Sequence, residues 1–233
     1  MDKITKRLSE LRNRLARAAR RAGRPTPVLL AVSKMRSSDE IRTMHEAGQI
    51  AFGENYVQEA MAKQEELSGL GIEWHLIGHL QSNKAREAAT RFDWVQSIDR
   101  VKLVDALADA RPAGMAPLNV LVQVNIDDEA GKHGCHPDDA AALCEMIGRR
   151  PKLMLRGLMA IPAPADDPAV RRAAFVAMRE LFDALRTRFP QMDTLSMGMS
   201  DDAELAVAEV STMVRIGTAL FGPRPAKTPG PVS

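Results

Sequence analysis

The chain has 233 residues, of which 45% are hydrophobic and 27% are charged, a composition typical of globular rather than disordered proteins. Thirty-two Lys and Arg residues stand against thirty Asp and Glu residues, and this net charge of +2 provides no general attraction to nucleic acids or acidic membranes. Two cysteines, Cys135 and Cys144, are too few for a disulfide framework and fit a reducing compartment. Because the sequence also shows neither a signal-peptide core nor an apolar run of membrane length, we expect a cytoplasmic protein.

The first predicted element is an amphipathic helix near the N-terminus. Its apolar residues recur at spacings of three and four and form one stripe, made of Ile4, Leu8, Leu11, Leu15 and Ala18 or Ala19. Arginines crowd the same segment, namely Arg12, Arg14, Arg17, Arg20, Arg21 and Arg24. We interpret them as a solvated basic face. A contact with nucleic acid or anionic lipid is the alternative, and no interleaved aromatic residues support it.

Eight short apolar runs follow, and each is predicted to be a strand: 27–33, 50–54, 72–78, 93–98, 118–126, 152–161, 194–198 and 212–217. Helical patterns separate them. Ser37 and Glu40 have the spacing of a capping box, and Pro137 is suited to the first turn of a helix. The long helix before the seventh strand has a predicted apolar stripe of Val170, Ala174, Met178, Leu181, Leu185 and Phe189.

Strands that alternate with helices indicate an α/β fold with a parallel sheet, and eight strands are the number that closes a (β/α)8 TIM-type barrel. A doubly wound open sheet is the alternative. It would usually have a Gly-rich turn after the first strand, whereas the turn SKMRSS (33–38) has no glycine. We therefore predict one barrel over residues 1–224 with an extra N-terminal helix, followed by a Pro-rich flexible tail over 225–233.

A barrel of this type places its functional residues at the C-terminal ends of the strands. The polar residues at those positions are Lys34, Glu54, Asn55, His79, Gln81, Asn125, Asp127, Ser196, Ser200 and Arg215. Loops are polar in any protein, so this set is only moderately specific.

Lys34 ends the run LLAVSK and is the first candidate for chemistry. Desolvation at the mouth of an apolar barrel disfavours the charged ammonium, and a neutral amine can form an imine with an aldehyde. The alternative is that Lys34 extends to solvent or pairs with a carboxylate such as Glu54. Position alone favours this second interpretation.

Two turns near the C-terminus could bind an anion. Helix starts are predicted at Ser200–Asp201 and at Gly217–Thr218, after strands seven and eight, where barrels often bind phosphate. Ordinary helix capping explains the same residues equally well. Together with Lys34, a phosphate site suggests a phosphorylated aldehyde, either pyridoxal phosphate or the substrate of a Schiff-base aldolase acting on sugar phosphates.

Several long motifs carry a family resemblance. They are AVSK (31–34), FGENYVQE (52–59), WHLIGHLQSNK (74–84), RGLMAI (156–161), LSMGMSDD (195–202) and STMVRIGTALFG (211–222). In this order they resemble the pyridoxal phosphate homeostasis protein family, also called the YggS/PROSC family. The similarity runs from about residue 8 to residue 224.

The resemblance implies a barrel similar to the N-terminal domain of bacterial alanine racemase, holding pyridoxal 5'-phosphate. It implies that Lys34 forms the covalent imine and that Asn55 lies beside the cofactor ring. Ser200, Gly217 and Thr218 would bind the phosphate. Met199 would contribute its backbone, and Arg215 would face the pyridine nitrogen.

Two features favour a carrier of the cofactor over an enzyme. An arginine stays protonated and keeps a facing pyridine nitrogen unprotonated, which weakens the ring as an electron sink; alanine racemase nevertheless has an arginine there. Racemisation also needs a second base, which in the racemase is a tyrosine from another domain. This sequence has one tyrosine, Tyr56, and we expect it at a helix start.

We therefore expect a protein that buffers or delivers pyridoxal phosphate, with apo enzymes as its recipients and no substantial catalysis of its own. A racemase-like enzyme acting on small amino acids is the alternative. We expect a monomer without nucleic-acid or membrane partners.

No metal site is predicted, since the cluster His133, Cys135 and His136 is too tight for usual ligand spacings. His75 is expected to be a hydrogen-bonded barrel residue.

Overall fold

The computed structural model describes residues 3–129, 131–165 and 167–223. Within these ranges eight parallel strands form a closed barrel in chain order, and β8 pairs with β1. The strands are β1 (Val28–Val32), β2 (Ala51–Glu54), β3 (Glu73–Leu76), β4 (Trp94–Ile98), β5 (Leu118–Val124), β6 (Leu153–Ala160), β7 (Thr194–Ser196) and β8 (Met213–Ile216). The predicted barrel is confirmed, and the open doubly wound sheet is wrong. The predicted tail at 225–233 lies outside the described residues.

Helices connect the strands on the outside of the barrel. They are α1 (Lys3–Arg21), α2 (Ser38–Glu46), α3 (Val57–Glu66), α4 (Ala85–Arg91), α5 (Val101–Ala110), α6 (Ala140–Gly148), α7 (Pro168–Arg188), α8 (Ala203–Ala208) and α9 (Thr218–Phe221). Short 3-10 turns precede α4 and α6, at Ser82–Lys84 and Pro137–Asp139. The predicted capping box is present, because Ser37 and Glu40 each bind the other's backbone N–H.

Side chains of β1 alternate between the two faces of the barrel wall. Leu29 and Ala31 belong to the large core between the wall and the helices. Leu30 packs in a separate cluster with Met213 and Val32, inside the barrel. Since alternate residues of a strand share a face, Lys34 continues the inward series of Leu30 and Val32 at the point where the strand ends.

The N-terminal helix is an addition to the eight repeats, as predicted. Helix α1 packs against α2, α8 and α9, and it thereby covers the side of the barrel where β8 meets β1. The predicted stripe is buried at Leu8, Leu11 and Leu15. Each such leucine contributes on the order of 2 kcal/mol through burial, which fixes α1 against the closing seam.

The apolar stripe predicted for α7 is partly wrong. Its fully buried residues are Phe175, Met178, Phe182 and Leu185. Val170 is exposed, and Leu181 is only partly buried. Each of the two phenylalanines follows a residue of the predicted stripe by one position. Compared with the prediction, the helix is rotated about its axis, and the larger rings face the barrel.

No helix in the described ranges combines the length and the apolar character that a membrane crossing would require.

Candidate functional site

A cavity of about 510 Å³ opens at the C-terminal mouth of the barrel, between the ends of β1, β7 and β8. Six of the seven residues assigned from the sequence line it: Lys34, Met199, Ser200, Arg215, Gly217 and Thr218. The convergence of these strand ends follows from barrel closure, since β8 pairs directly with β1.

Asn55, the seventh assigned residue, does not line this cavity. It lies in an adjoining depression together with Tyr56, Gly78 and His79. A Cβ at Gly78 would lie 2.1 Å from the carbonyl oxygen of Asn55, so the backbone of the β3 loop packs directly against this residue. The Oδ1 atom of Asn55 is buried and has no hydrogen-bond partner among the described residues.

Lys34 lies in the turn that follows β1 and is half-buried. The preceding residue, Ser33, is fully buried. The Ser33 hydroxyl donates a hydrogen bond to Oε1 of Glu54 at 2.6 Å, and its carbonyl accepts one from Nζ of Lys63 at 2.8 Å. Ser33, immediately before Lys34, is therefore held through both its side chain and its backbone carbonyl.

A buried ion pair lies directly beneath this turn. Nζ of Lys63 is 2.8 Å from Oε1 of Glu54 and 2.7 Å from Oε1 of Glu59. Glu59 also accepts a hydrogen bond from the backbone N–H of Met35. Burial raises the pKa of Glu54, although Lys63 and Ser33 oppose the shift. The carboxylates and Lys63 thus brace the chain on both sides of Lys34.

Arg215 is buried inside the barrel end, with 4% of its surface exposed. Its Nη1 donates to the carbonyl and to Oγ of Ser196, at 2.8 and 2.7 Å, and its Nη2 donates to the carbonyl of Ala160 at 2.8 Å. Burial lowers the pKa of Arg215 to about 10, with Asp202 acting in the opposite direction. The guanidinium is therefore still protonated at neutral pH.

A chain of hydrogen bonds continues from Ser196 through the barrel interior. Oγ of Ser196 donates to Gln96 at 2.8 Å, and the amide of Gln96 lies 2.9 Å from Nδ1 of His75. The Nε2 of His75 is 2.7 Å from Glu73. Burial lowers the pKa of His75, while Glu73 opposes the shift. A neutral imidazole that accepts from Gln96 and donates to Glu73 gives each group of this chain a hydrogen-bond partner. The prediction that His75 is a hydrogen-bonded barrel residue is confirmed.

The loop after β7 depends on Gly198, whose φ of +94° lies in the region that favours glycine. A Cβ there would also lie 2.6 Å from the Cβ of Ala206. After this bend, the carboxylate of Asp202 accepts from the N–H of Met199 at 2.6 Å and pairs with Arg171. Since the Asp202 carboxylate ties the loop to α7, it fixes where the backbone of Met199 lies.

The predicted helix start at Ser200–Asp201 is wrong by about two residues. Helix α8 begins at Ala203, and Asp202 precedes it without a capping hydrogen bond from its side chain. The start predicted at Gly217–Thr218 is confirmed, because α9 begins at Thr218. These helices have six and four residues, so side-chain charge contributes more to this cavity than helix dipoles do.

Arg14 lines the cavity from α1, and the sequence interpretation missed it. Its Nη2 lies 3.3 Å from the carbonyl oxygen of Ser200, and its Nε lies 3.3 Å from Glu204. Arg14 therefore belongs only in part to the solvated basic face, since its side chain is 39% exposed and also contacts the loop after β7. Its spacing from Leu11 and from Ala18 places it at the edge of the buried stripe, and this signal could have identified it.

Arg36 is the second missed cation. It is buried, and its Nη2 donates to the carbonyls of Gly222 and Pro223 at 2.5 and 3.1 Å. Its guanidinium also lies over the ring of Phe221, 5.4 Å from the centroid. No signal within the turn SKMRSS distinguishes Arg36, because its partners come from the far end of the chain.

The charge of the cavity is positive. Its lining includes four cationic side chains and one carboxylate, that of the exposed Asp201; the cations are Arg14, Lys34, Arg36 and Arg215. An anionic group of a ligand is favoured at such a site, and low local dielectric strengthens the attraction.

Tyr56 lies outside the lining of this cavity, in the adjoining depression. It precedes α3 as predicted and is 61% exposed.

The chain matches the family model described as alanine racemase, N-terminal domain, over residues 7–225. It is 51% identical over 226 residues to the pyridoxal phosphate homeostasis protein of Pseudomonas aeruginosa, covering 96% of this chain and 97% of that protein. It is 48% identical to the protein of the same name from Escherichia coli, covering 96% of this chain and 98% of that protein.

Solved structures show the same similarity. PipY of Synechococcus elongatus with PLP bound has a TM-score of 0.83 at 39% identity, covering 94% of this chain and 100% of that chain. D-threonine aldolase from Filomicrobium marinum has a TM-score of 0.75 at 18% identity, covering 94% of this chain and 60% of that chain. The second likeness is one of fold alone.

We expect Lys63→Met to destabilise the protein by about 3–5 kcal/mol at neutral pH, because it leaves the buried carboxylate of Glu54 without a cation. Urea unfolding followed by circular dichroism measures this loss. The pKa of Glu54 is already raised, so the loss should shrink at acidic pH, where the carboxyl is neutral.

The matched control for this prediction is the double variant Glu54→Gln/Lys63→Met, which removes both charges. It should recover a substantial part of the lost stability at neutral pH. Equal destabilisation in the single and double variants would show that the ion pair is not the cause.

Proposed function

This chain belongs to the pyridoxal phosphate homeostasis protein family, and we propose that it binds pyridoxal 5'-phosphate at the barrel mouth and holds it reversibly. The observation that carries the proposal is the convergence of Lys34, Arg215 and the turns at Ser200 and Gly217 around one positive cavity. PipY, 39% identical, has been solved with PLP bound.

The residues present fit this cofactor. A phosphate monoester carries a charge close to −2 at neutral pH, and the three arginines of the cavity lining would complement that charge. The hydroxyls of Ser200 and Thr218 and the backbone N–H groups of Ser200, Gly217 and Thr218 would provide its hydrogen bonds, while Met199, whose N–H donates to Asp202, would hold the backbone of this loop in place. Asn55, with a buried Oδ1 that has no partner among the described residues, would lie beside the ring.

We propose Nζ of Lys34 as the covalent attachment point. When bound, the cofactor would supply an aldehyde group. The neutral amine of Lys34 would condense with it, forming a carbon–nitrogen double bond with release of one water molecule, and hydrolysis would reverse this attachment. The role of this chain is to orient the amine, since Ser33 and Met35 on either side of Lys34 are both hydrogen-bonded to the network around Lys63.

Arg215 would face the pyridine nitrogen and hold it unprotonated. The guanidinium remains charged at neutral pH, and its Nη1 and Nη2 groups already donate to Ser196 and Ala160. A cation at this position disfavours proton transfer to the ring nitrogen. The arrangement therefore favours retention of the aldehyde over the stabilisation of a carbanion.

A carrier without substantial catalysis accounts best for the cavity. Racemisation needs acid–base groups on two faces of a substrate, and Tyr56 lies outside the cavity lining. The exposed residues Thr218 and Asp201 lie on the rim, so the cavity opens to water, which suits loading and release. We propose apo enzymes that use this cofactor as the recipients. A racemase-like enzyme is the alternative, which the alanine racemase family model supports.

Borohydride reduction of the loaded protein, followed by peptide mass mapping, tests the attachment point. Reduction converts the carbon–nitrogen double bond into a stable amine, and we expect the adduct on the peptide that contains Lys34. Lys34→Ala should lose both the adduct and the yellow colour of the loaded protein. An adduct on Lys84 or Lys132 in the wild-type protein would overturn the assignment.

Incubation of the loaded protein with L-amino acids tests the carrier function separately. Chiral chromatography and assays for released keto acids or amines should show no turnover above that of free pyridoxal phosphate. Robust racemisation, transamination or decarboxylation that disappears in Lys34→Ala would establish the racemase-like alternative instead.

Arg14→Ala should weaken the binding of pyridoxal 5'-phosphate by about tenfold, because it removes a charge-assisted contact worth about 1.5 kcal/mol at the cavity wall. Fluorescence titration measures the affinity. The matched control is Arg17→Ala, which removes an exposed arginine one turn further along α1 and should leave the affinity within about twofold. If Arg14→Ala and Arg17→Ala bind pyridoxal 5'-phosphate with equal affinity, Arg14 does not contribute to the site.

A further inference from the structure

Three side chains with metal-ligating atoms meet on the rim of the barrel mouth. His79 follows β3, Asp99 follows β4, and His133 lies in the loop after β5. One ligand atom from each of the three lies within 4.8 Å of the other two. The three residues come from neighbouring strand ends, although they are spread over more than fifty positions of the sequence.

The two imidazole rings are already in contact. Their centroids are 3.8 Å apart and their planes differ by 14°. Nδ1 of His79 lies 3.7 Å from Oδ2 of Asp99. Two imidazole nitrogens and a carboxylate oxygen are the ligand types that zinc and similar divalent transition-metal ions take, whereas calcium and magnesium prefer oxygen ligands alone.

A small rearrangement brings these atoms to metal-binding distances. Ligands at about 2.0–2.1 Å from a tetrahedral zinc ion are roughly 3.4 Å from one another. The separations in the structure exceed this value by no more than about 1.4 Å. Both histidines are exposed and belong to loops, so rotation about their side-chain bonds can close the difference.

Asp99 is held in a suitable orientation by a neighbour. Nη1 of Arg100 binds Oδ1 of Asp99 at 2.6 Å, which leaves Oδ2 on the side of His79. Arg100 is itself held through its Nη2 by the carbonyl of Leu80 at 2.9 Å. Partners of this kind orient metal ligands in known sites. The loop of His133 is held as well, since Gln123 donates to its carbonyl at 3.1 Å.

We propose that His79, Asp99 and His133 form a binding site for one divalent transition-metal ion of the zinc class. Three protein ligands leave at least one coordination position for water. A bound ion would link the loops after β3, β4 and β5 to one another. The proposed site lies outside the cavity that is lined by the ends of β1, β7 and β8 and by α1, although His79 and His133 line the depression that also contains Asn55.

Isothermal titration of the full chain with Zn²⁺, after removal of metal by a chelator, tests the proposal. We expect one saturable site per chain. His79→Ala and His133→Ala should each weaken it by more than about tenfold, and Asp99→Asn should weaken it as well. His136→Ala is the matched control, since this exposed histidine caps a 3-10 turn nearby and should leave the affinity unchanged.

A second measurement identifies the ligands. Co²⁺ bound in place of Zn²⁺ should show visible ligand-field bands without the strong near-ultraviolet absorption of a cobalt–thiolate bond. That absorption would assign the metal to Cys135 or Cys144 and overturn the proposal. Saturable binding that is equal in the wild type, His79→Ala and His133→Ala, or no saturable binding in the wild type, would also overturn it.

Circular dichroism of the metal-free variants separates loss of the site from loss of folding. If either alanine variant is unfolded, His79→Gln and His133→Gln replace it in the titration, because glutamine keeps the volume and removes the imidazole ligand. The ability of the His133→Ala variant to bind pyridoxal 5'-phosphate provides an independent reference. Retained loading with lost zinc binding supports two separate sites.

Discussion

The buried guanidinium of Arg215 imposes the strongest physical constraint on this barrel. A charge inside a protein costs several kcal/mol unless hydrogen bonds compensate for its lost hydration. Here the compensation comes from Ser196 and Ala160, and the chain of partners continues through Gln96 to His75. Four different strands supply these groups. The guanidinium therefore finds its hydrogen-bond partners only when the strands pair in one particular register.

A second buried ionic system lies beside the turn after β1. Lys63 joins Glu54 to the carbonyl of Ser33, and it lies under the turn that carries Lys34. Buried ion pairs are weak contributors to stability when both partners can be replaced by apolar groups. Their contribution here is positional, because they restrain the backbone on which the amine depends.

The resulting cavity combines a fixed floor with an open and positive rim. Its cations come from α1, from the turn after β1 and from β8, and α1 can contribute one because it covers the seam between β8 and β1. A rigid set of charges favours tight capture of an anionic aldehyde, and an open rim favours its release. The cluster of His79, Asp99 and His133 lies on another part of the rim, after β3 to β5, and borders the depression that contains Asn55.

Local periodicity and short spacings in the sequence were enough to predict the eight strands, the extra helix and the capping box at Ser37, because these features do not depend on distant contacts. The six residues that line the cavity were assigned through the motifs that resemble the family. The contacts of Arg14 and Arg36, the rotation of α7 and the proximity of His79 and His133 depend on tertiary packing. Barrel closure brings these residues to partners far away in the chain, and no local pattern records which distant groups will become neighbours.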